Sequence, residues 1–267
     1  MSSASLASQI KGLTFDVFGT VVDCRTPVTK ALVEAAAAKI ASPASGSLPP
    51  DIQARVRALT KDDWAAFTQE WLYSYGKFTH SFVPGVTEWK DIDTHHYDSF
   101  IELLDKWQLP GLYTPDEMKQ LNKIWHALEP WPDSSEGIHK LGTRFKVSTL
   151  SNGNRSLLAD LNEHGNLGFQ YLASAEDFKA YKPNPATYLG ACRQLGLEPS
   201  EVAMVAAHLG DLASARALGL RTIYVERRHE EDWKPDEERY REAKEWVDLW
   251  IKEDEDGFKE VAERLGI

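Results

Sequence analysis

Polar side chains follow four apolar segments of the sequence, at or just beyond the point where each segment ends. The residues are Asp16, the pair Ser151 and Asn152, Lys182, and Asp211. If the segments are parallel strands, their carboxyl ends meet at one edge of a sheet, and these side chains converge there. A carboxylate, a hydroxyl, an amide, a lysine and a second carboxylate are expected in a hydrolase that uses a carboxylate nucleophile. The spacing therefore predicts covalent hydrolytic catalysis.

Each candidate residue also has a purely structural alternative. Asp16 can cap the turn that follows it, Lys182 can be a surface lysine before a proline turn, and segment 151–153 can be only a loop and helix cap. Thr20 can donate a hydrogen bond to a carboxylate or serve the turn alone. His208, at the end of a predicted strand, fits both a catalytic histidine and a structural one.

The elements that must position these residues are visible in the hydrophobic pattern. Segments rich in β-branched and aromatic residues predict strands, and they alternate with helical segments of about ten residues. This alternation predicts an α/β fold, with right-handed βαβ units, a parallel sheet and helices on both faces. The predicted strands are residues 10–18, 145–150, 170–173, 202–207, 222–225 and 246–251, and the helices after the second strand are 156–164, 186–195, 212–218 and 258–265.

Between the first two predicted strands the pattern is helical only. The predicted helices are residues 28–40, 64–75, 97–107 and 114–128, Thr60 and Asp63 are spaced as a capping box for the second, and residues 42–50 read as a loop. We therefore expect three segments: core residues 1–24, an inserted all-helical cap over 25–112, and the rest of the core over 113–267. Residues 2–8 are expected to be a frayed terminus.

Four short segments, taken together, match a known family. They are Asp-Val-Phe-Gly-Thr (16–20), Leu-Ser-Asn-Gly (150–153), Tyr-Lys-Pro-Asn-Pro (181–185) and the helix that Asp211 opens, and in this order they resemble the haloacid dehalogenase (HAD) superfamily. The first motif, and Tyr188 six residues after Lys182, are similar to the L-2-haloacid dehalogenase (type II) branch. The resemblance implies a Rossmann-like core, and the helical insertion lies where that family has its cap domain.

The resemblance implies a role for each matching residue. Asp16 would attack the substrate and form an ester, and the charge of Lys182 would keep Asp16 ionised. Asp211, with or without His208, would position or deprotonate the water that cleaves the ester. The residues expected to bind the substrate are Thr20, Phe18, Ser151, Asn152 and Tyr188.

Two positions separate dehalogenation from phosphate ester hydrolysis. Phosphatases of this superfamily have a second Asp two residues after the nucleophile, which protonates the leaving alkoxide, and here that residue is Phe18. A halide is a weak base and leaves without a proton. Mg²⁺ prefers oxygen ligands. The position of the first acidic residue in the phosphatases' magnesium site is Ala206 in this chain, and alanine has no side-chain oxygen to bind the metal. We therefore expect hydrolysis of small 2-haloacids, with no metal and no other cofactor.

The match to the type II branch is incomplete in the cap. That branch uses a cap arginine for the leaving halide, in a Trp-Arg context, and here Trp64 is followed by Ala65. Arg25, just past the first motif, is a candidate substitute and is added to the expected substrate-binding residues. His95 and His96, in the predicted cap, are further candidates.

Several features keep other functions open. Ala206 and His208 stand where the fourth motif usually has Ser and Asn, which leaves the substrate open. A phosphatase of the same superfamily remains an alternative, although Phe18 and Ala206 speak against it. The missing cap arginine keeps open a member with an altered substrate or a non-catalytic binding role. Residues 91–98 form a polar cluster without a metal-ligand spacing, which favours a solvated loop. The aromatic helix suits either cap packing or a homodimer interface. The tryptophans that would shape an apolar pocket are Trp64, Trp71 and Trp89.

Composition excludes several other classes of function. The 267 residues carry 30 Lys and Arg against 41 Asp and Glu, a net charge of −11, so a nucleic-acid backbone is an unfavourable partner. The chain has no apolar run of transmembrane length, no signal-peptide pattern, and only two cysteines. We therefore expect a cytoplasmic enzyme whose partner is a small molecule, not nucleic acid or a membrane.

Overall fold

A single parallel sheet forms the centre of the molecule. The computed structural model describes residues 3–42 and 48–267. Six strands pair in the order β3-β2-β1-β4-β5-β6, and all five pairings are parallel. The strands are β1 (Gly12–Phe15), β2 (Lys146–Ser151), β3 (Tyr171–Ser174), β4 (Val202–Ala206), β5 (Arg221–Val225) and β6 (Leu249–Ile251). The predicted α/β fold with a parallel sheet is confirmed.

Helices connect the strands and account for most of the remaining chain. Among the described residues, six α-helices, α2 to α7, lie between β1 and β2. Within the described residues the helices are α1 (Ser3–Gln9), α2 (Arg25–Ala41), α3 (Pro50–Ala58), α4 (Lys61–Ser81), α5 (Ile92–Lys106), α6 (Pro115–Asn122), α7 (Ser134–Gly142), α8 (Arg155–His164), α9 (Ala175–Phe178), α10 (Pro185–Leu195), α11 (Leu209–Ala217), α12 (Glu238–Trp246) and α13 (Gly257–Arg264). The cap boundaries at 25 and 112 stay a prediction.

Strand β4 shows why the sheet is buried on both faces. All five of its residues are buried, as expected for a central parallel strand covered by helices. Ala203 and Val205 belong to one hydrophobic cluster, whereas Val202, Met204 and Ala206 belong to a second. Successive side chains of a strand point to opposite faces, so the two clusters are the two sides of the sheet.

Helix α4 carries the aromatic residues that the sequence placed on one face. Thr60 caps it, and the reciprocal hydrogen bonds with Asp63 form the expected capping box. Trp64, Phe67 and Trp71 are all buried, and the Trp71 ring stacks on a ring of α5. This face is therefore covered within the chain, and it offers no support for the predicted homodimer interface.

The N-terminal prediction was wrong for most of its length. Residues 3–8 lie in α1 rather than in a frayed end, while residue 2 lies outside the described residues. Leu6 is fully buried in the core cluster, and this apolar anchor outweighs the entropy of ordering a terminal helix.

The predicted loop over 42–50 is described only at its ends, because residues 43–47 lie outside the described residues. Pro50 already begins α3, a helix that the sequence analysis missed. Ile52 and Val56 of α3 are buried one turn apart and attach it to the core. Helix α2 begins at Arg25, three residues before its predicted start.

The polar cluster at 91–98 is not a solvated loop, so that interpretation was wrong. Asp91 is the N-cap of α5, and its carboxylate accepts a hydrogen bond from the Thr94 N–H at 2.8 Å. His95 and His96 are buried inside the inserted helices. His95 stacks on Phe78 with 4.2 Å between ring centroids. Tertiary packing of the imidazoles therefore overrides the polar composition.

Over residues 3–42 and 48–267, each helix is too short or too polar to cross a membrane.

Candidate active site

The polar residues predicted at the strand ends converge on one cavity. It has a volume of about 400 Å³ and lies at the carboxyl edge of the sheet, beneath α4. Its lining includes Asp16, Asn152, Lys182, His208 and Asp211. The cavity contains the groups needed for nucleophilic attack and for a later hydrolytic step.

Asp16 extends the pairing of β1 with β4, since its backbone N–H donates to the Val205 carbonyl. Its carboxylate is surrounded by donors. Lys182 Nζ lies 2.8 Å from Oδ1, Thr20 Oγ1 donates to Oδ2 at 2.6 Å, and His208 Nδ1 lies 3.0 Å from Oδ2. Burial alone would raise the pKa of Asp16, but the charge of Lys182 and the His208 hydrogen bond outweigh it and hold the pKa well below its usual range. Asp16 is therefore an ionised carboxylate.

Thr20 holds the loop after β1 against the neighbouring strand. Its Oγ1 accepts a hydrogen bond from the Ala207 N–H at 2.9 Å while its own hydrogen goes to Asp16. The side chain is fully buried. One hydroxyl therefore fixes the position of the Asp16 carboxylate relative to the end of β4.

Lys182 connects the two carboxylates of the site. Its Nζ lies 2.6 Å from Asp211 Oδ2, in addition to its contact with Asp16. Burial would lower the pKa of Lys182, but the charges of Asp16 and Asp211 raise it above its usual value. Tyr188 donates its phenol hydrogen to Asp211 Oδ1 at 2.5 Å. Asp211 lies in the first turn of α11, where a carboxylate is favoured.

His208 lies between two carboxylates. Its Nδ1 faces Asp16, and its Nε2 is 3.5 Å from Glu230 Oε2. Burial would lower the pKa of His208, but the hydrogen bonds and charges of Asp16 and Glu230 raise it to about 10. The imidazole is therefore protonated at neutral pH, and both of its nitrogens act as donors. In this state His208 is a hydrogen-bond donor rather than a base.

Glu230 is a site residue that the sequence analysis missed. It lies in the loop after β5, which Arg227 anchors by donating to the Thr20 carbonyl at 3.0 Å and to both Asp133 carboxylate oxygens at 2.7 and 2.8 Å. Burial would raise the pKa of Glu230, but His208 and Arg25 lower it below its usual value. The available signal was its position, because this loop leaves the sheet at the same edge as the other site residues.

Arg25 continues the chain of charges toward the inserted helices. Its Nε lies 3.1 Å from Glu230 Oε1, one terminal nitrogen contacts Gln69 of α4, and the other donates to the His229 carbonyl at 3.1 Å. Arg25 also lines the cavity. Along this path the charges alternate in the order Asp211, Lys182, Asp16, His208, Glu230, Arg25.

Of the two predicted site residues at the end of β2, Asn152 lines the cavity and Ser151 does not. Asn152 lines the cavity, and its Oδ1 accepts the Lys182 backbone N–H at 2.8 Å, which fixes the lysine loop. The Ser151 hydroxyl instead accepts the Gly153 N–H at 3.1 Å and is absent from the cavity lining. Ser151 therefore shapes its own loop and does not contact Asp16.

Aromatic side chains form the apolar part of the cavity, and they include Phe18 and Tyr188 but none of the three tryptophans proposed from the sequence. Phe18 lines it, and its ring meets the Tyr75 ring edge-on at 5.7 Å between centroids. Trp233, from the loop after β5, is a lining residue. The residues of the insertion that were expected to face the substrate but lie away from the cavity are Trp64, Trp71, Trp89, His95 and His96.

The donor set does not fit a magnesium site of the phosphatase type. Asp16 and Asp211 share Lys182, and the positions that carry acids in the phosphatases are Phe18 and Ala206. In the part of the chain that the structure describes, no three His, Cys, Asp or Glu side chains are grouped to hold a metal ion.

Comparison with known proteins gives a consistent result. The family model for haloacid dehalogenase-like hydrolases matches residues 10–219. (S)-2-haloacid dehalogenase 4A of Burkholderia cepacia is 32% identical over 148 residues, which cover 52% of this chain and 64% of that protein. (S)-2-haloacid dehalogenase 1 of Pseudomonas sp. (strain CBS-3) is 33% identical over 121 residues, which cover 44% of this chain and 53% of that protein. The matched part of the chain thus spans less than two thirds of these relatives.

Solved structures match over nearly the whole chain. The structure of a defluorinating L-2-haloacid dehalogenase has a TM-score of 0.77 and 28% identity, and the match covers 97% of this chain and 96% of that one. Another L-2-haloacid dehalogenase has a TM-score of 0.71 and 31% identity, with 90% of this chain and 94% of that one covered.

Proposed function

The chain belongs to the haloacid dehalogenase-like hydrolases, and we propose that it hydrolyses the carbon–halogen bond of 2-haloacids through an ester on Asp16. The observation that carries this proposal is the state of Asp16. The carboxylate is buried and ionised, faces a cavity, and has Phe18 rather than an acid in the position that would protonate an alkoxide. Such a site suits a leaving group that needs no proton.

In the first step, an Asp16 oxygen attacks C2 of the 2-haloacid. The new C–O bond forms as the carbon–halogen bond breaks, and the halide leaves with the bonding pair. Oδ2 already accepts hydrogen bonds from Thr20 and His208, whereas Oδ1 accepts one from Lys182. Oδ1 therefore keeps more lone-pair density and is the attacking atom.

In the second step, water attacks Cγ of the Asp16 ester. The negative charge develops on Oδ2, toward which Thr20 and protonated His208 already donate, so these two groups act as an oxyanion hole. Asp211 accepts the proton of the attacking water. As the bond between Cγ and Oδ1 breaks, Asp211 returns this proton to the leaving alkoxide oxygen, which gives the 2-hydroxy acid. The new carboxyl group of Asp16 loses the second proton of the water and becomes a carboxylate again, so one proton is released for each halide.

Arg25 is the group that we propose for the leaving halide. A guanidinium has five N–H groups, and three acceptors contact Arg25 among the described residues. Two N–H groups therefore remain for an anion in the cavity. Arg25→Ala is expected to lower kcat/KM by about 10- to 100-fold, with partial recovery in Arg25→Lys. Unchanged turnover in Arg25→Ala would remove this role.

Halide release tests the function directly. Each enantiomer of 2-chloropropionate is incubated with the protein, with and without Mg²⁺, beside Asp16→Asn. We expect release from one enantiomer without added metal, and a loss of at least about 10⁴-fold in the variant, because the nucleophile is removed.

A single turnover in ¹⁸O-labelled water tests the ester. The label is expected in the Asp16 carboxylate rather than in the first molecule of product, because the water attacks Cγ. Label in that first product would show direct attack of water on C2. Halide release that survives in Asp16→Asn would equally contradict the proposal.

A further inference from the structure

One face of helix α4 forms a wall of the cavity. The lining residues on this face are Leu72, Tyr73, Gly76, Thr79 and His80. Their spacing of three and four residues places them along one side of the helix. Gly76 is the member of this set that has no side chain.

Neither backbone conformation nor packing accounts for the glycine at position 76. Gly76 lies within α4 and is not among the glycines with a positive φ. A Cβ built there meets no heavy atom within 4 Å, so no neighbour needs the space. Glycine within a helix is less favourable than alanine. Because Gly76 has no side chain, the cavity stays open at this point of α4.

Apolar and aromatic side chains form part of the cavity wall, beside polar residues that include Thr79 and Glu231. Phe18 and Leu72 line it, and the Trp233 indole is 3.8 Å from a Cβ built at Gly210. At its rim Tyr73 is 59% exposed, so the space runs from the buried nucleophile toward the surface. The charged groups described above lie at the Asp16 end.

The volume exceeds what a three-carbon haloacid needs. The cavity volume is about 400 Å³. It falls within the range of about 300–1,000 Å³ that holds ligands much larger than 2-chloropropionate.

We propose that the substrates are 2-haloacids with an apolar chain of butyl size or larger, and that this chain lies along α4 in the space left by Gly76. The inference rests on the proposed function and narrows its substrate class. Gly76 is then a specificity-determining position, since a larger residue there fills the path of the chain.

The experiment measures kcat/KM for halide release from 2-bromopropionate, 2-bromobutyrate, 2-bromohexanoate and 2-bromooctanoate. In the wild type, kcat/KM is expected to rise by up to about fourfold for each methylene buried. In Gly76→Leu, the ratio of the hexanoate value to the propionate value is expected to fall at least tenfold. Ala66→Leu, on the exposed side of α4, is the matched control and keeps the wild-type ratio.

The outcomes separate the inference from the function beneath it. Turnover of 2-bromopropionate with no gain along the series, or an unchanged ratio in Gly76→Leu, overturns the inference alone. No halide from any of the four acids overturns the proposed function as well. Thermal unfolding of Gly76→Leu at or above the wild-type temperature supports attributing its loss to the filled cavity.

Discussion

Two histidines of this protein each lie between two carboxylates, but their surroundings differ. His208 lies between Asp16 and Glu230 in the candidate active site. His126 contacts Asp160 at 2.6 Å through Nδ1 and Asp93 at 2.9 Å through Nε2. The local ion-pair chemistry of the two is nearly the same.

The two histidine clusters differ in the surroundings of their carboxylates. Asp93 lies in the first turn of α5, Asp160 belongs to α8, and Asn154 at the start of α8 donates to Asp93 at 3.0 Å. The His126 side chain is 6% exposed and is absent from the lining of the Asp16 cavity, whereas the His208 side chain is 32% exposed and forms part of that lining. His126 therefore joins an inserted helix to a core helix, while His208 adjoins the carboxylate that we propose as the nucleophile.

The comparison shows that a histidine–carboxylate cluster does not by itself indicate catalysis. Burial would lower the pKa of both imidazoles, and the carboxylates raise both. The separating features are an open cavity and the further cations, Lys182 and Arg25, that continue the cluster of His208. Variants at each cluster therefore test whether one affects turnover and the other affects stability.

The largest effect on turnover is expected from Lys182→Met. Without Lys182, Asp16 and Asp211 face each other as buried carboxylates without their shared cation. We expect turnover to fall about 10²- to 10³-fold and the free energy of unfolding to fall by about 3–5 kcal/mol. Halide release and urea unfolding measure the two effects, with exposed Lys77→Met as the control. Near-normal turnover in Lys182→Met would break the assignment of the site.

A smaller effect, specific to high pH, is expected from Glu230→Gln. Loss of a proton removes the positive charge of His208 and one of its two N–H donors, which weakens its support of Asp16. Wild-type turnover therefore falls as the pH rises through the His208 pKa of about 10. Removing the Glu230 charge removes one of the two carboxylates that raise this pKa. The alkaline limb of the pH profile of kcat/KM should therefore move to lower pH by about one unit. An unmoved limb would show that the Glu230 charge does not hold His208 protonated.

The least effect on turnover is expected from His126→Gln, which should act on stability instead. Loss of the two ion pairs is expected to lower the free energy of unfolding by about 1–2 kcal/mol while kcat/KM is unchanged. Exposed His139→Gln is the matched control. A large fall in kcat/KM at full stability would remove the distinction between the two clusters.

The pH dependence of this stability effect has a definite sign. The pKa of His126 is raised in the folded protein, so its contribution is complete below the unfolded value of about 6.5 and is lost as the pH rises through the folded value. The difference between wild type and His126→Gln should therefore be larger at about pH 6 than at about pH 9. Denaturant unfolding at the two pH values measures it.

The sequence was sufficient to predict that the residues following the strands lie together in the candidate site. Asp16, Asn152, Lys182 and Asp211 converge because parallel strands bring their carboxyl ends to one edge. Glu230 was missed because it lies in a loop with no apolar period and no motif.

The remaining errors have a different cause. His95 and His96 were placed in a loop because their segment is polar, although stacking on aromatic rings buries both. Trp233, rather than the tryptophans of the insertion, lines the cavity, since only tertiary packing decides which aromatic residues remain near an open space.

The central place of β1 in the sheet has a consequence for folding. Phe15 pairs with Thr149 and with Val205, so both neighbours of β1 lie far along the chain. During synthesis, β1 leaves the ribosome long before either partner, whereas contacts within the inserted helices are closer in sequence. The insertion should therefore form structure before the sheet, and β1 remains an apolar strand with two open edges, prone to aggregation, until β2 and β4 arrive.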